Sequence, residues 1–334
     1  MKNLFAIFIL LNTSLAFGWG ERGHHVICEV ASRLVKEPAL ARFLKSKGHQ
    51  LGHVCNLPDV QWKSLGAIAK SGDAAHFMDP ENLNYEISKV PTEFKVVVAQ
   101  AGKKPAEVAE LLGSSWWRVD QFVRRASEAA KLAKGAKFPK GSKEEQDDAL
   151  PYNQAVYGLL VNFGLMGHFV GDASMPYHNT ADYDGYGHQR GGIHGYYESA
   201  SVNAMDLKLV ADVYGDAITQ RTNKIFPPEN GTVTERMRDL STVSYGELGL
   251  VEAADEIYAP STTSPSKVAA KRPDEEKGAK AFRAIIVPQM ARSALLLAAF
   301  WDESYRAGGS PSLNAYRSYR YPLFTEFVPL DFTE

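Results

Sequence analysis

Cysteine is scarce in this chain, whose 334 residues include only Cys28 and Cys55. At most one intrachain disulfide can therefore form, which an oxidising compartment would favour, and two separately buried thiols are the alternative. A side-chain nucleophile is not expected either, because no convincing Ser-His-Asp or Cys-His pattern is present.

An excess of charge of either sign is also lacking. Without Lys2, which belongs to the N-terminal leader, the 37 basic residues become 36 against 39 acidic ones, a formal charge of −3. Such a chain has no broad positive field, so any nucleic-acid substrate would have to be bound by local contacts. The apolar content of 45% and the charged content of 23% are those of an ordinary globular protein.

Long apolar runs are absent apart from a short one at the N-terminus. Lys2 precedes the apolar residues 4–11, and the small-residue pattern Ala16-Phe17-Gly18 follows, as in a secretory signal peptide. The leader is shorter than the roughly 20 residues that a bilayer span needs, and no later segment approaches that length, so we expect a soluble protein. Residues 1–18 are thus predicted to be a cleaved signal peptide, which gives the protein a secreted or periplasmic location.

Cleavage after residue 18 would make Trp19 the N-terminus of a mature chain, five residues before His24. An α-amino group has a pKa of roughly 7.7–8.0, so a metal ion can displace its proton near neutral pH. Secretion would therefore create an additional metal ligand close to a histidine.

Helical periodicity dominates the sequence, and no alternating strand pattern is evident. Helices are predicted at residues 24–36, 38–44, 108–134 (interrupted at 113–114), 152–172, 194–218, 233–258 and 277–306. The segments 135–151, 179–192 and 262–276 have the composition of loops. We therefore expect an all-α fold, a single multi-helix bundle at residues 19–308 with long loops, and an irregular C-terminal tail at 309–334 that packs on it.

Several of the nine histidines lie at a fixed spacing from a carboxylate. His168 and Asp172 are four residues apart in a nearly uncharged helix, so both project from one face. Polar groups in such a helix are costly unless they are paired or bind a metal. His194 and Glu198 repeat the spacing, and His178 lies between the two pairs. A single pair of this kind is more often a surface hydrogen bond, but the joint pattern favours a metal site.

Three residues further upstream extend the pattern. They are His24, Asp59 and His76, each of which alone is more often an ordinary surface, turn or packing residue. Imidazole and carboxylate ligands with few cysteines are typical of catalytic rather than structural zinc. Taken with the two spaced pairs, these residues predict a metal centre.

The order of these elements resembles that of a known superfamily. In chain order the elements are Trp19-Gly20-x-x-Gly23-His24, Pro58-Asp59, His76-Phe77-x-Asp79, His168-Phe169-x-Gly171-Asp172-x-x-x-Pro176-x-His178 and His194-x-x-x-Glu198. They are similar to those of the zinc-dependent single-strand nucleases (the S-one/P-one type) and of their relatives, the zinc-dependent phospholipases C. The elements span residues 19–198, and the later helices fit the family's bundle without a motif of their own.

The resemblance implies a trinuclear zinc cleft with three Zn²⁺ ions per chain. One ion would be bound by Asp59, His76, His168 and Asp172, a second by the amino and carbonyl groups of Trp19 with His24 and Asp172, and the third by His178, His194 and Glu198. The catalytic carboxylates would be Asp59 and Asp172, the latter bridging two ions that hold a hydroxide for in-line attack on phosphorus. The third ion would stabilise the leaving oxygen.

The motifs indicate the reaction class more clearly than they indicate the substrate. Phe77 and Asp79 match the nuclease positions where a base is stacked and hydrogen-bonded, although the phospholipases also have an aromatic residue and an aspartate there. Glu198 stands where the nucleases usually have aspartate, and the run His194-Gly195-Tyr196-Tyr197-Glu198 looks like the phospholipase form. The motifs therefore support both branches of the superfamily.

We expect first a secreted zinc-dependent phosphodiesterase, an endonuclease or nucleotidase that hydrolyses single-stranded DNA or RNA. The alternative is a phospholipase C that binds phosphatidylcholine-type head groups at a membrane surface. An alternative from another class is a secreted, non-catalytic zinc-binding helical protein. We expect a monomer without a stable protein partner. Four histidines belong to none of the matched elements, namely His25, His49, His53 and His188.

Overall fold

The computed structural model describes residues 19–228 and 230–333, and the predicted signal peptide at 1–18 lies outside the described residues. Within these ranges the chain is helical and has only isolated β-bridges, which confirms the predicted all-α class. The α-helices are α1 (Gly20–Leu34), α2 (Pro38–Leu44), α3 (Gly48–Leu57), α4 (Phe94–Ala101), α5 (Pro105–Leu112), α6 (Ser115–Gly135), α7 (Ser142–Gln146), α8 (Pro151–Ser174), α9 (Ile193–Gly195), α10 (Ser201–Ala204), α11 (Leu209–Thr222), α12 (Val233–Gly246), α13 (Leu248–Ala254) and α14 (Glu275–Ala307).

Shorter helical turns connect these helices. Turns of π type lie at Pro58–Trp62 and Tyr196–Ala200, and 3-10 turns lie at Lys63–Ile68, Lys70–His76, Pro80–Leu83, Ile87–Lys89, Pro176–Asn179 and Tyr186–His188. Several of these turns carry residues that the sequence analysis singled out. Many of these turns contain glycine, proline or small polar residues, which are weak helix formers and therefore favour an irregular backbone.

The helix α3 was not predicted from the sequence. Its ten residues include two glycines and two histidines, which have low helix propensity. It forms because Leu51, Val54 and Cys55 are buried along one face, and tertiary packing outweighs the local preference. The disulfide between Cys28 and Cys55 joins α3 to α1. The turn that follows α3 is therefore held beside α1.

The helix predicted at residues 194–218 is broken in the structure. Met205 is extended, with φ −66° and ψ 150°, and separates α10 from α11. The carbonyl oxygens freed by this break accept hydrogen bonds from Arg22 of α1, whose guanidinium contacts those of Val202, Asn203 and Asp206 at 2.7–2.8 Å. A tertiary contact therefore stabilises the break, and helical periodicity alone could not indicate it.

The core lies between α6, α8 and α14, with α1 packed on α8 and α14. The nearly uncharged α8 is buried over most of its length, as its composition predicts. Of the described helices, α14 alone is long and apolar enough to span a membrane by length and composition, which the sequence analysis did not expect. Within the protein, 72% of its most apolar window is buried, as in the core helix of a helical bundle.

The C-terminal tail after α14 packs on the segment between α3 and α4. The carbonyl oxygen of Thr325 accepts hydrogen bonds from Gln61 Nε2 at 2.9 Å and from Trp62 Nε1 at 3.3 Å. Further along the tail, the carbonyl of Pro329 accepts from Gln121 Nε2 of α6 at 2.7 Å. The tail thereby fixes the turn next to the candidate metal ligands.

Arg118 of α6 is fully buried beneath this tail. Its guanidinium carbon lies 4.7–5.8 Å from the ring centroids of Trp62, Phe122, Phe169 and Phe327. Burial lowers the pKa of Arg118 to about 9. The ring faces offset part of the cost of burying a cation, so the tail, which supplies Phe327, completes the core on this side.

Candidate metal centre

The helix α8 carries the two residues around which the site is built. His168 and Asp172 lie one helical turn apart and are both fully buried, with His168 Nε2 3.3 Å from Asp172 Oδ2. The other ring nitrogen of His168 donates a hydrogen bond to the carbonyl oxygen of Cys55 at 2.8 Å. Because a carbonyl only accepts, this contact selects the tautomer with a free lone pair on Nε2. The end of α3 thus orients a candidate ligand on α8.

Two residues between α3 and α4, His76 and Asp59, lie beside this pair. His76 Nδ1 is 3.0 Å from Asp172 Oδ2. Asp59 Oδ1 is 3.6 Å from His76 Nδ1 and 3.7 Å from His168 Nε2. Lys63, one turn after Asp59, has its Nζ 2.6 Å from Asp59 Oδ1. The donor atoms of His76, His168 and Asp172 all lie within 4.8 Å of one another, close enough to bind one metal ion.

His24 of α1 approaches the other oxygen of Asp172. Its Nε2 is 3.3 Å from Asp172 Oδ1, and its ring stacks on that of His168 with 4.1 Å between centroids. Gly171 permits this approach, because a Cβ there would lie 2.7 Å from His24 Nδ1. Donor atoms of His24, Asp59 and His168 form a second group within 4.8 Å. The two groups lie side by side and share His168.

Trp19 is fully buried next to these groups. Its indole Nε1 donates to Ser174 Oγ at 2.8 Å, and Ser174 lies two residues after Asp172 at the end of α8. Its carbonyl oxygen accepts from the amide of Gly23 at 3.1 Å. The start of α1 therefore lies against the end of α8, as a ligand role for the main chain of Trp19 requires. That role itself stays a prediction.

The third group consists of His178, His194 and Glu198. Glu198 Oε2 is 3.0 Å from His194 Nε2 and 3.6 Å from His178 Nε2. His178 Nδ1 donates to the carbonyl of His76 at 2.5 Å, and His194 Nδ1 donates to that of Tyr183 at 2.7 Å. Both backbone contacts leave Nε2 free to face the carboxylate. The structure thus unites the three residues that the resemblance implies for one ion.

The buried donor atoms of the three groups are short of hydrogen bonds. The atoms that lack a hydrogen bond of good geometry include both ring nitrogens of His24, Oδ2 of Asp59, Oδ1 of Asp172, Nε2 of His178 and of His194, and both carboxylate oxygens of Glu198. An unsatisfied buried polar atom costs about 1–3 kcal/mol, and a charged one costs more. These atoms converge rather than scatter, so divalent cations fit the donor set and would satisfy it.

Electrostatics at the centre favour the metal-binding protonation states of Asp172 and His168, but not that of His178. Burial would raise the pKa of Asp172, but His168 and His178 hold it well below its usual range. Burial holds the pKa of His168 well below its usual value, so its imidazole is neutral. Burial opposes the protonation of His178, yet Asp172 and Glu198 raise its pKa to about 9. Binding of a metal at the third group would therefore displace a proton from His178.

The proposed substrate-binding residues lie directly after His76. Phe77 is half-buried and lines a cavity of about 350 Å³ together with Ala74, Ala109 and Leu330. Asp79 does not belong to the described lining of this cavity. The structure therefore does not place both side chains around one slot, and their substrate-binding roles stay predictions.

Asp79 should give the protein a measurable pH dependence of stability. Burial and the neighbouring charge of Glu81 raise the pKa of Asp79 to about 7 from its ordinary 3.8. Between these two values the folded state holds the proton more tightly than the unfolded chain, so this group lowers the free energy of unfolding as pH rises. We expect Asp79→Asn to abolish this contribution to the fall in the free energy of unfolding between pH 5 and pH 7, as measured by urea unfolding. Equal pH slopes for the variant and the parent protein would contradict the assignment.

Neither Lys63 nor the carbonyl groups that orient the histidines were predicted from the sequence. The four-residue spacing from Asp59 to Lys63 could have indicated their ion pair. No local pattern could have indicated the carbonyl of Cys55, because it lies 113 residues from His168 along the chain. Contacts of this kind depend on helix packing alone.

No protein-family model matches the chain, and no curated protein matches it either. The chemistry of the centre therefore has to be inferred from its own donor atoms and their spacing.

Proposed function

We propose that the protein is a secreted zinc-dependent phosphodiesterase that hydrolyses single-stranded nucleic acid. The observation that carries the proposal is the convergence of buried, unpartnered imidazole and carboxylate atoms in three adjacent groups. Zinc suits this donor set better than magnesium or calcium, which prefer oxygen ligands. Divalent cations held there would lower the pKa of water and neutralise the charge that develops on a phosphoester.

The chain's own residues organise the centre for such a reaction. The two oxygens of Asp172 face different histidines, Oδ1 toward His24 and Oδ2 toward His76 and His168. This carboxylate can therefore serve two neighbouring cations at once. Among the donors of the three groups, His76 and His178 are the most exposed, at 8% and 6%, so a substrate would approach the centre beside these two residues.

The nuclease branch is supported by the Trp19-to-His24 start and by Phe77, a partly exposed ring beside His76. Stacking on one aromatic ring contributes about 1–3 kcal/mol per base, enough to hold a nucleotide without a basic surface. Glu198 and the two tyrosines before it favour the phospholipase branch, which is the second candidate. The disulfide between Cys28 and Cys55 suits the oxidising compartments outside the cytosol and so supports secretion.

One experiment tests the function directly. The mature protein beginning at Trp19 is incubated with single-stranded DNA, with RNA and with phosphatidylcholine vesicles, with and without chelator. We expect hydrolysis of the nucleic acids, its loss after chelation, and its return when Zn²⁺ is added.

The other outcomes each contradict part of the proposal. Hydrolysis that persists after metal removal, confirmed by elemental analysis, would exclude the metal mechanism. Cleavage of phosphatidylcholine alone would identify a phospholipase C. Three bound zinc ions with no hydrolysis of any of these substrates would favour the non-catalytic alternative.

A further inference from the structure

Two spaced pairs of metal-binding side chains face each other on the surface, outside the centre described above. His25 and Glu29 are four residues apart on α1, with His25 Nε2 3.8 Å from Glu29 Oε2. His49 and His53 are four residues apart on α3. Residues at this spacing project from one side of a helix, so each helix presents two donors as a pair.

The packing of α1 against α3 brings the two pairs together. The ring centroids of His25 and His49 are 5.1 Å apart. Two glycines of α3 allow the approach, because a Cβ at Gly52 would lie 2.5 Å from His25 Nδ1 and one at Gly48 would lie 3.3 Å from Glu29 Cγ. A larger residue at either position would push the helices apart and separate the donors.

The side chains at this junction are accessible to solvent. His25 and Glu29 are 27% and 24% exposed, and His49 is exposed. His53 lies one turn beyond His49 and contacts the tail, with its Nε2 3.4 Å from the carbonyl of Leu323 and its ring centroid 5.2 Å from that of Tyr321. The exposed imidazoles can rotate toward a shared ion at little cost, because they leave no strong hydrogen bond behind. Glu29 would contribute Oε2, which faces His25, because its Oε1 is paired with Arg33.

We propose that His25, Glu29, His49 and His53 form a surface site for a first-row transition ion, separate from the three buried groups. Three imidazoles and one carboxylate suit Zn²⁺, Cu²⁺ and Ni²⁺, and disfavour Mg²⁺ and Ca²⁺. An ion bound there links α1 to α3, the same two helices that the disulfide joins. It therefore stabilises the folded protein by mass action, independently of any hydrolytic activity.

The test uses Cu²⁺ as the probe. The mature protein is first saturated with zinc and desalted, and one equivalent of Cu²⁺ is added while bound copper and zinc are both measured. We expect one bound copper per chain without release of the three buried zinc ions, an electron paramagnetic resonance spectrum with hyperfine structure from at least two nitrogens, and a raised melting temperature.

The double variant His49→Gln/His53→Gln changes only residues distant in sequence from the predicted ligand His24. We expect it to lose both the bound copper and the copper-dependent rise in melting temperature. His188→Gln is the matched control, an exposed histidine that pairs with Glu252 instead, and it should bind copper as the parent protein does.

Copper binding that survives in the double variant would overturn the proposal, as would copper uptake that leaves fewer than three zinc ions bound per chain. A parent protein that binds no copper would overturn it as well. None of these readouts depends on catalysis, so a failure here is distinguishable from a failure of the proposed phosphodiesterase.

Discussion

Asp172→Asn is expected to lose two of the three metal ions and at least about a thousandfold of phosphodiesterase activity. Asp172 contacts His24 through one oxygen and His76 and His168 through the other. An amide offers one oxygen of weaker donor strength and no charge, so it cannot serve two cations. Metal per chain, measured by elemental analysis, should fall from three to one, because Asp172 contacts His24 as well as His76 and His168, whereas the third group does not include it.

A matched control is Asp302→Asn. Asp302 is also buried, but its carboxylate accepts hydrogen bonds from the amides of Lys36 and Glu37, at the junction of α1 and α2. The control variant should be less stable and yet retain three ions and near-normal specific activity. An Asp172→Asn variant that kept all three ions would contradict the assignment.

Retention of even one residue before Trp19 is expected to remove one metal ion and to lower the activity about a hundredfold or more. A peptide nitrogen has no lone pair to offer a cation, whereas a free α-amino group with a pKa of about 7.7–8.0 does. Because Trp19 is buried against the end of α8, a solvent-exposed group cannot replace its main chain as a metal ligand. The measurement compares activity and zinc content of the mature chain with those of a chain carrying one added alanine.

The same alanine placed after Glu334 provides the control and should change neither quantity. Full activity and three ions in the N-terminally extended protein would show that the amino group of Trp19 is not a ligand. Failure of this prediction alone would leave the histidine and carboxylate groups intact as candidate sites.

The fold could be read largely from periodicity, since α2, α8 and α14 follow their predicted bounds closely. Helices α4 and α7 were not predicted, and the helix predicted at 233–258 is divided into α12 and α13. Two further exceptions share a cause. Helix α3 forms despite poor propensity, and the break at Met205 is stabilised by Arg22 from another helix. In both places long-range packing outweighs the local preference.

Local spacing also explains how far the candidate site could be predicted. The pairs His168 with Asp172 and His194 with Glu198 lie one helical turn apart, so spacing alone places each pair on one face. Spacing does not indicate which distant residues each pair contacts. The group of His24 with Asp59 and His168 forms only because α1 and the turn after α3 pack on α8.

The sequence by itself determined the all-α class from its periodicity and placed His168 with Asp172 and His194 with Glu198 from their spacing, whereas the other candidate ligands rest on the resemblance of the ordered motifs. Only the tertiary structure decided how those ligands are shared among three groups and that His25 faces His49 across two helices. The physical reason is that a metal site needs donor atoms within a few ångströms. For residues tens of positions apart, that distance is set by helix packing and not by the order of the chain.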